Sequence, residues 1–134
     1  MGTICENILD KTKIYQWKVK KIKTQYNAII VGVASIDFDI NSSSYNTCGW
    51  YYDFRNYLYS SPPYNYGQGA NLNVTKDEVT VIMNMKKRTL KFIINNEDKG
   101  DSYTNVPIYK PISPAILLRD QNDSVEINDC LILE

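Results

Sequence analysis

Alternation with a period of two dominates this chain. In Ile14–Lys23, Tyr15, Trp17 and Val19 project to one side while Gln16, Lys18 and Lys20 project to the other. Val79, Val81, Met83 and Met85 repeat the pattern, as do Leu90, Phe92 and Ile94, and the short Lys86–Arg88 link between them suits an antiparallel hairpin. Ala28–Ala34 is instead a short, β-branched apolar run, as expected of a strand buried on both faces. Gly49–Phe54, Tyr57–Tyr59, Ala115–Leu118, Ser124–Ile127 and Leu131–Leu133 are further strand candidates. Asp37–Thr47 and Ser60–Gly69 read as loops, and Asn95–Asp101 as a cluster of turn residues. No segment shows a period of 3.6; at most the first ten residues hold a short helical turn. About eight to ten short strands with turn signals between them predict an all-β fold, a two-sheet antiparallel sandwich with little or no helix. At 134 residues the chain is one domain. Residues 1–13 form a lead-in and 14–134 the domain itself.

Composition then narrows the chemistry. The chain has no histidine, which removes Ser-His and Cys-His nucleophile pairs, His-ligated zinc and imidazole proton shuttles. Fifteen cationic residues balance fifteen acidic ones, so there is no basic excess for gripping nucleic acid or acidic lipid. Cys5, Cys48 and Cys130 are odd in number, far apart and include no C-x-x-C pair. They read as reduced thiols of an intracellular, cytoplasmic protein. There is no apolar run of membrane-spanning length and no signal-peptide core.

Catalytic and metal-binding patterns are poor. The acid pairs Asp37/Asp39, Asp77/Glu78 and Glu97/Asp98 sit in predicted turns, where carboxylates solvate and start turns, rather than facing one another across a groove. Asp37-Phe38-Asp39-Ile40-Asn41 resembles the first half of a calcium loop. Ser42 and Cys48 stand where that loop needs Gly and Glu, so no metal is expected. Lys18, Lys20, Lys21 and Lys23 are the densest basic group, but alternation with core-facing residues makes them a solvated sheet face. No enzyme activity and no cofactor are expected.

The informative stretch is Trp50–Tyr66. It holds Trp50, Tyr51, Tyr52, Phe54, Tyr57, Tyr59, Tyr64 and Tyr66. By alternation a sandwich interior takes about half of these, leaving the others at or near the surface. Tyrosine offers a rigid ring with a hydroxyl at low entropy cost, which suits a recognition surface.

The order of motifs resembles a SPRY domain, the core of the B30.2 module. The residues that carry the likeness are Tyr15-Gln16-Trp17-Lys18-Val19, then Ile30-Val31-Gly32-Val33-Ala34-Ser35, then Gly49-Trp50-Tyr51-Tyr52 and Tyr66-Gly67. Asp77-Glu78-Val79, Met83-Asn84-Met85, Thr89-Leu90-Lys91-Phe92, Asn95-Asn96 and Gly100 follow the family's central signature. Pro111-Ile112-Ser113-Pro114-Ala115 and Ser124-Val125-Glu126-Ile127 resemble its end. There are departures. Asn84 replaces a frequent Asp, Lys91 a Ser, and Asn96 the Gly of the turn, which Asn can serve because it tolerates positive φ.

The resemblance implies a jelly-roll-like sandwich that binds a protein or peptide partner through loops at one edge, without catalysis. Carried onto this chain, the partner-binding residues are Tyr45, Tyr52, Phe54, Arg55, Tyr57, Arg119 and Asp120. The isolated domain is expected to be monomeric and to act as an intracellular adaptor, with neither nucleic acid nor membrane as partner. A carbohydrate-binding, lectin-like module is the alternative, since Tyr and Trp also stack on sugars.

Overall fold

The computed structural model of the chain describes residues 2–4, 8–23, 29–35, 49–54, 57–60, 68–69, 78–94, 96–108, 111–118, 124–127 and 131–133. These contain twelve strands in chain order: β1 (Gly2–Ile4), β2 (Ile14–Lys23), β3 (Ile29–Ser35), β4 (Gly49–Asp53), β5 (Tyr57–Ser60), β6 (Gln68–Gly69), β7 (Glu78–Asn84), β8 (Thr89–Ile94), β9 (Glu97–Tyr103), β10 (Ile112–Leu118), β11 (Ser124–Ile127) and β12 (Leu131–Ile132). The first sheet runs β1-β10-β3-β4-β5-β6 and the second β11-β2-β7-β8-β9, with β12 also pairing β2. All these pairings are antiparallel. The described residues contain no helix, and the all-β two-sheet expectation holds.

The alternation read from the sequence is what builds the second sheet. Tyr15, Trp17 and Val19 of β2, Val79, Val81 and Met83 of β7, and Leu90, Phe92 and Ile94 of β8 are buried on one face. Gln16 and Lys18 on the other face are half-buried and Lys20 is exposed. The buried face packs on Ile29, Val31, Val33, Trp50, Tyr52 and Ile112 of the first sheet in one continuous core. At about 1.5–3 kcal/mol per fully buried large apolar side chain, this shared core is the dominant favourable contribution to the fold.

The first sheet behaves differently, because both faces of β3, β4 and β10 are covered. Every residue of β3 and β4 is buried. Its outer face carries a second, smaller cluster of Ile30, Ala34, Tyr51, Ala115 and Leu117. Small residues make this possible. A Cβ on Gly32 would collide with the Trp50 carbonyl and lie 2.9 Å from the Tyr51 Cα. One on Gly49 would collide with the Tyr51 phenol and lie 2.6 Å from the Val33 carbonyl oxygen. The glycines of the Gly32-Val33-Ala34 and Gly49-Trp50-Tyr51 motifs therefore let β3 and β4 approach closely, with the Tyr51 ring folded over the backbone.

An aromatic relay joins the two sheets. Phe54 and Tyr52 are 6.1 Å apart between ring centroids, Tyr52 and Phe92 5.7 Å, and Phe92 and Tyr103 6.4 Å with an edge-on angle of 81°. Tyr103 then donates its buried hydroxyl to the Tyr51 carbonyl at 2.9 Å, returning the relay to the first sheet. Such aromatic pairs contribute about 0.5–1.5 kcal/mol each beyond their burial, and the hydrogen bond about 1 kcal/mol. Burial pushes the Tyr52 hydroxyl well above the ordinary tyrosine pKa, and the neighbouring Asp53 charge raises it further.

Three segments depart from the sequence expectations. Glu97–Tyr103 is the strand β9, not part of a turn cluster. Ile94 faces Glu97, so β9 starts directly after Asn96, which sits at φ 70° as its substitution for Gly requires. β9 carries an extra residue between the partners of Leu90 and Lys91 and another between those of Lys91 and Ile93. Gly100, at φ 91°, lies in this irregular stretch, and the Asp98 carboxylate accepts its N–H at 2.8 Å and the Lys91 ammonium at 3.1 Å. Charges and bulges on an edge strand resist pairing with further strands.

The other two departures adjoin each other. In place of a helical turn, Gly2–Ile4 forms β1 on the edge of β10, and Leu9 enters the core while donating its N–H to the Ile112 carbonyl at 2.9 Å. β10 begins at Ile112, earlier than expected, and includes Pro114. The Ile112 carbonyl points away from β3, and alternation by two sends the donorless Pro114 nitrogen the same way. β1 pairs no further than Ala115, so proline removes no bond from a strand ladder.

Two predictions follow from the close approach and the relay. Gly32→Ala should cost about 3 kcal/mol in chemical denaturation. Gly100→Ala, with positive φ but open space around the added carbon, should cost only ~1 kcal/mol. The second concerns pH. A tyrosine whose folded pKa exceeds its unfolded value contributes stability that is complete below about pH 10 and is lost as pH rises towards the folded pKa. Unfolding free energy should therefore fall above pH 10 with a component of about 1.4 kcal/mol per pH unit. Tyr52→Phe should remove that component.

Candidate functional site

The strand register sorts the candidate binding residues by place. Phe54 donates its N–H to the Ile29 carbonyl at 2.8 Å, and Leu118 of β10 pairs with Ile29 from the other side. The chain therefore leaves β4 towards Arg55, and β10 towards Arg119 and Asp120, at the same end of the first sheet. Tyr57 opens β5 at that end, opposite Asp53. In the second sheet, β2 finishes at Lys23 opposite Ser124, where β11 begins.

The segment that carries Tyr45 is rooted elsewhere. It leaves β3 after Ser35 and re-enters at Gly49, which pairs with Ala34. Ser35 and Ile29 bound the seven residues of β3, a span of roughly 20 Å. The strand ends that adjoin Arg55, Tyr57, Arg119 and Asp120 in the chain thus lie at one end of the sheet, and those that flank the segment with Tyr45 at the other. Tyr45, Arg55, Arg119 and Asp120 themselves lie outside the described residues, and Tyr57 is described by its backbone alone.

Tyr52 and Phe54 have a different place from the one expected of surface anchors. Both are 0% exposed and belong to the core between the sheets. Tyr51 and Trp50 are buried as well. Of the eight aromatics of Trp50–Tyr66, these four are interior, as alternation allows for about half, although Tyr51 is buried on the outer face of β4 rather than between the sheets. The side chains of Tyr57, Tyr59, Tyr64 and Tyr66 lie outside the described residues. The rings stiffen the strand from which the chain departs towards Arg55, and substitutions there act through stability.

Tyr103 escaped the sequence reading. Its strand is too charged to look like one, yet its hydroxyl locks β9 to β4. An isolated Tyr at the end of the hydrophilic run Glu97–Ser102 was the available signal.

Among the described residues, no group of three His, Cys, Asp or Glu side chains could hold a metal ion, and no helix is long and apolar enough to cross a membrane. The described ion pair, Lys91–Asp98 at 3.1 Å, is on the surface and is of the kind that contributes little.

Comparison with known proteins agrees with this architecture. No curated protein sequence matches the chain. Among solved structures it is similar to the SPRY domain of human HERC1, with a TM-score of 0.71 and 19% identity over 99% of this chain and 82% of that one. It is similar to the TRIM65 PSpry domain, with a TM-score of 0.65 and 12% identity over 99% of this chain and 70% of that one. It also resembles stonustoxin, with a TM-score of 0.65 and 17% identity over 97% of this chain but only 22% of that one. At these identities the likenesses establish the fold. The SPRY domain family model matches residues 14–132. Nearly the whole chain is thus covered, and it belongs to the SPRY family, whose domains are in general non-catalytic modules of protein interaction.

Proposed function

We propose that the domain docks a short segment of a protein partner at the end of the sandwich that carries Arg55, Tyr57, Arg119 and Asp120. The observation that supports this reading is the convergence of the β4 and β10 exits on Ile29. Two chain exits separated by about one strand spacing on either side of β3 offer an aromatic ring, two guanidinium groups and a carboxylate from a sheet covered on both faces. Arg and Tyr are the residue types that dominate interface energies, with anchors of about 2–4 kcal/mol, and a rigid support reduces the ordering cost of binding. Tyr45, rooted about 20 Å away by the length of β3, reports on the opposite end. The domain works as an intracellular adaptor in this reading, while Tyr52 and Phe54 act from the core.

Alanine at Tyr57 or at Arg119 should weaken binding of a partner recovered by affinity purification at least tenfold, about 1.4 kcal/mol, with thermal stability nearly unchanged. Tyr45→Ala should have a smaller effect. Affinity that survives the Tyr57 and Arg119 substitutions together would reject this site.

A further inference from the structure

One edge of the second sheet is unlike the other described edges. β12 pairs with β2 on the side away from β7, and among the described residues nothing pairs with its other side. Leu131 lies beside Gln16 and Ile132 beside Tyr15. Gln16 belongs to the outer face of the sheet and Tyr15 to the face that enters the core, so β12 carries an apolar residue on each face. Leu133 donates its N–H to the Ile14 carbonyl at 2.8 Å, which continues this register and returns Leu133 to the outer face. The three side chains are 54%, 60% and 50% exposed. Proteins usually blunt an edge of this kind. β9, at the opposite edge of the sheet, carries charges and register shifts. Of the remaining edge strands, β11 includes Glu126, β6 is Gln68-Gly69 and β1 is Gly2-Thr3-Ile4. Among the described edges, β12 alone is apolar on both faces.

The register also says which backbone groups this edge offers. In an antiparallel ladder the N–H and carbonyl of one residue point to the same side, and successive residues alternate sides. Leu133 sends its N–H to β2. Ile132 therefore sends its N–H and its carbonyl away from β2. An antiparallel strand added here must meet Ile132 in a hydrogen-bonded pair. It must also be apolar on both of its own faces, because Leu131 and Leu133 lie on one side of the sheet and Ile132 on the other.

We propose that the added strand is β12 of a second copy of this chain, and that the two second sheets join into one across a two-fold axis through Ile132. Among the described strands, β12 itself is the one that is apolar on both faces and free along one edge, so it meets both demands it makes of an occupant. A two-fold axis normal to the sheet makes the pairing antiparallel and reciprocal, as an isologous contact requires. Each Ile132 N–H donates to the carbonyl of the partner's Ile132. The two Ile132 side chains then adjoin on the core side. Leu131 adjoins the partner's Leu133 on the outer face, where half-buried Ile14 continues the apolar surface beside Leu133. Three such side chains per copy remove roughly 600 Å² from water in the pair, about half the area of a standard stable interface, so the dimer is weak and depends on concentration. Arg55, Tyr57, Arg119 and Asp120 take no part, and the inference does not rest on the proposed site.

The test is sedimentation equilibrium of the intact chain from micromolar to millimolar concentration, with amide exchange followed by NMR at both ends of that range. A monomer–dimer equilibrium is expected. The Ile132 amide should exchange several-fold more slowly at the high concentration, while the Leu133 amide, already bonded to Ile14, changes little. Ile132→Pro removes the outward N–H and no bond to β2, a place that an edge strand grants to proline. Ile132→Asp sets a charge on the two-fold axis. Each should weaken the dimer at least tenfold, with circular dichroism and melting temperature at micromolar concentration nearly unchanged. Lys87→Glu, on the other side of β2, should leave the dimer intact. A chain that stays monomeric throughout, whatever other strand it accepts at this edge, overturns the proposal. So does a dimer that survives both Ile132 substitutions, or one that forms without added protection at Ile132.

Discussion

The line of rings from Phe54 through Tyr52 and Phe92 to Tyr103 is the contact on which the rest of this sandwich depends. Two of its rings belong to the first sheet or its exit and two to the second, and the Tyr103 hydroxyl closes the circuit on the Tyr51 backbone. Two sheets could stack on aliphatic side chains alone and slide with modest loss. Rings of fixed shape, ending in a directional hydrogen bond, set how β9 and β4 face each other. The position of β9 then fixes its bulged register on β8, and that of β4 fixes the point from which the chain leaves towards Arg55.

The glycines act on the same strands from the other side. Gly32 and Gly49 allow β3 and β4 to approach with no Cβ between them, and Tyr51 lies over the space they leave. Burial of Ile30, Ala34, Tyr51, Ala115 and Leu117 then makes β3, β4 and β10 an interior layer. A sheet covered on both faces has little free surface for recognition. Its sites must lie where strands end, and the aromatic density of Trp50–Phe54 becomes a property of the support rather than of the binding surface.

Much of this was legible in the sequence, for definite reasons. Alternation in Ile14–Lys20, Val79–Met85 and Leu90–Ile94 could be read because every second side chain of each segment is apolar and enters the shared core, and the continuous apolar run of β3 announced its double burial. The outer cluster could not be read so easily. Tyr51 and Tyr52 are chemically identical neighbours, and nothing in their own sequence says that both faces of β4 are covered. β9 was hidden by Asp98, Lys99, Gly100 and Asp101, residues that favour turns in isolation and here protect an edge. β1 was hidden by its three-residue length. The family likeness indicated a loop-borne site, but it could not show that Arg55 and Arg119 issue from one end of β3 and the Tyr45 segment from the other.

The division between a rigid, aromatic, doubly covered support and recognition at the strand ends is the central claim. Amide hydrogen exchange, measured on the domain alone and with a partner recovered by affinity purification, tests it most directly. The account predicts that β3 and β4 exchange slowest in both states, and that added protection on binding concentrates after Phe54 and after Leu118. Fast exchange in β4 of the free domain, or new protection confined to β8 and β9, would contradict it.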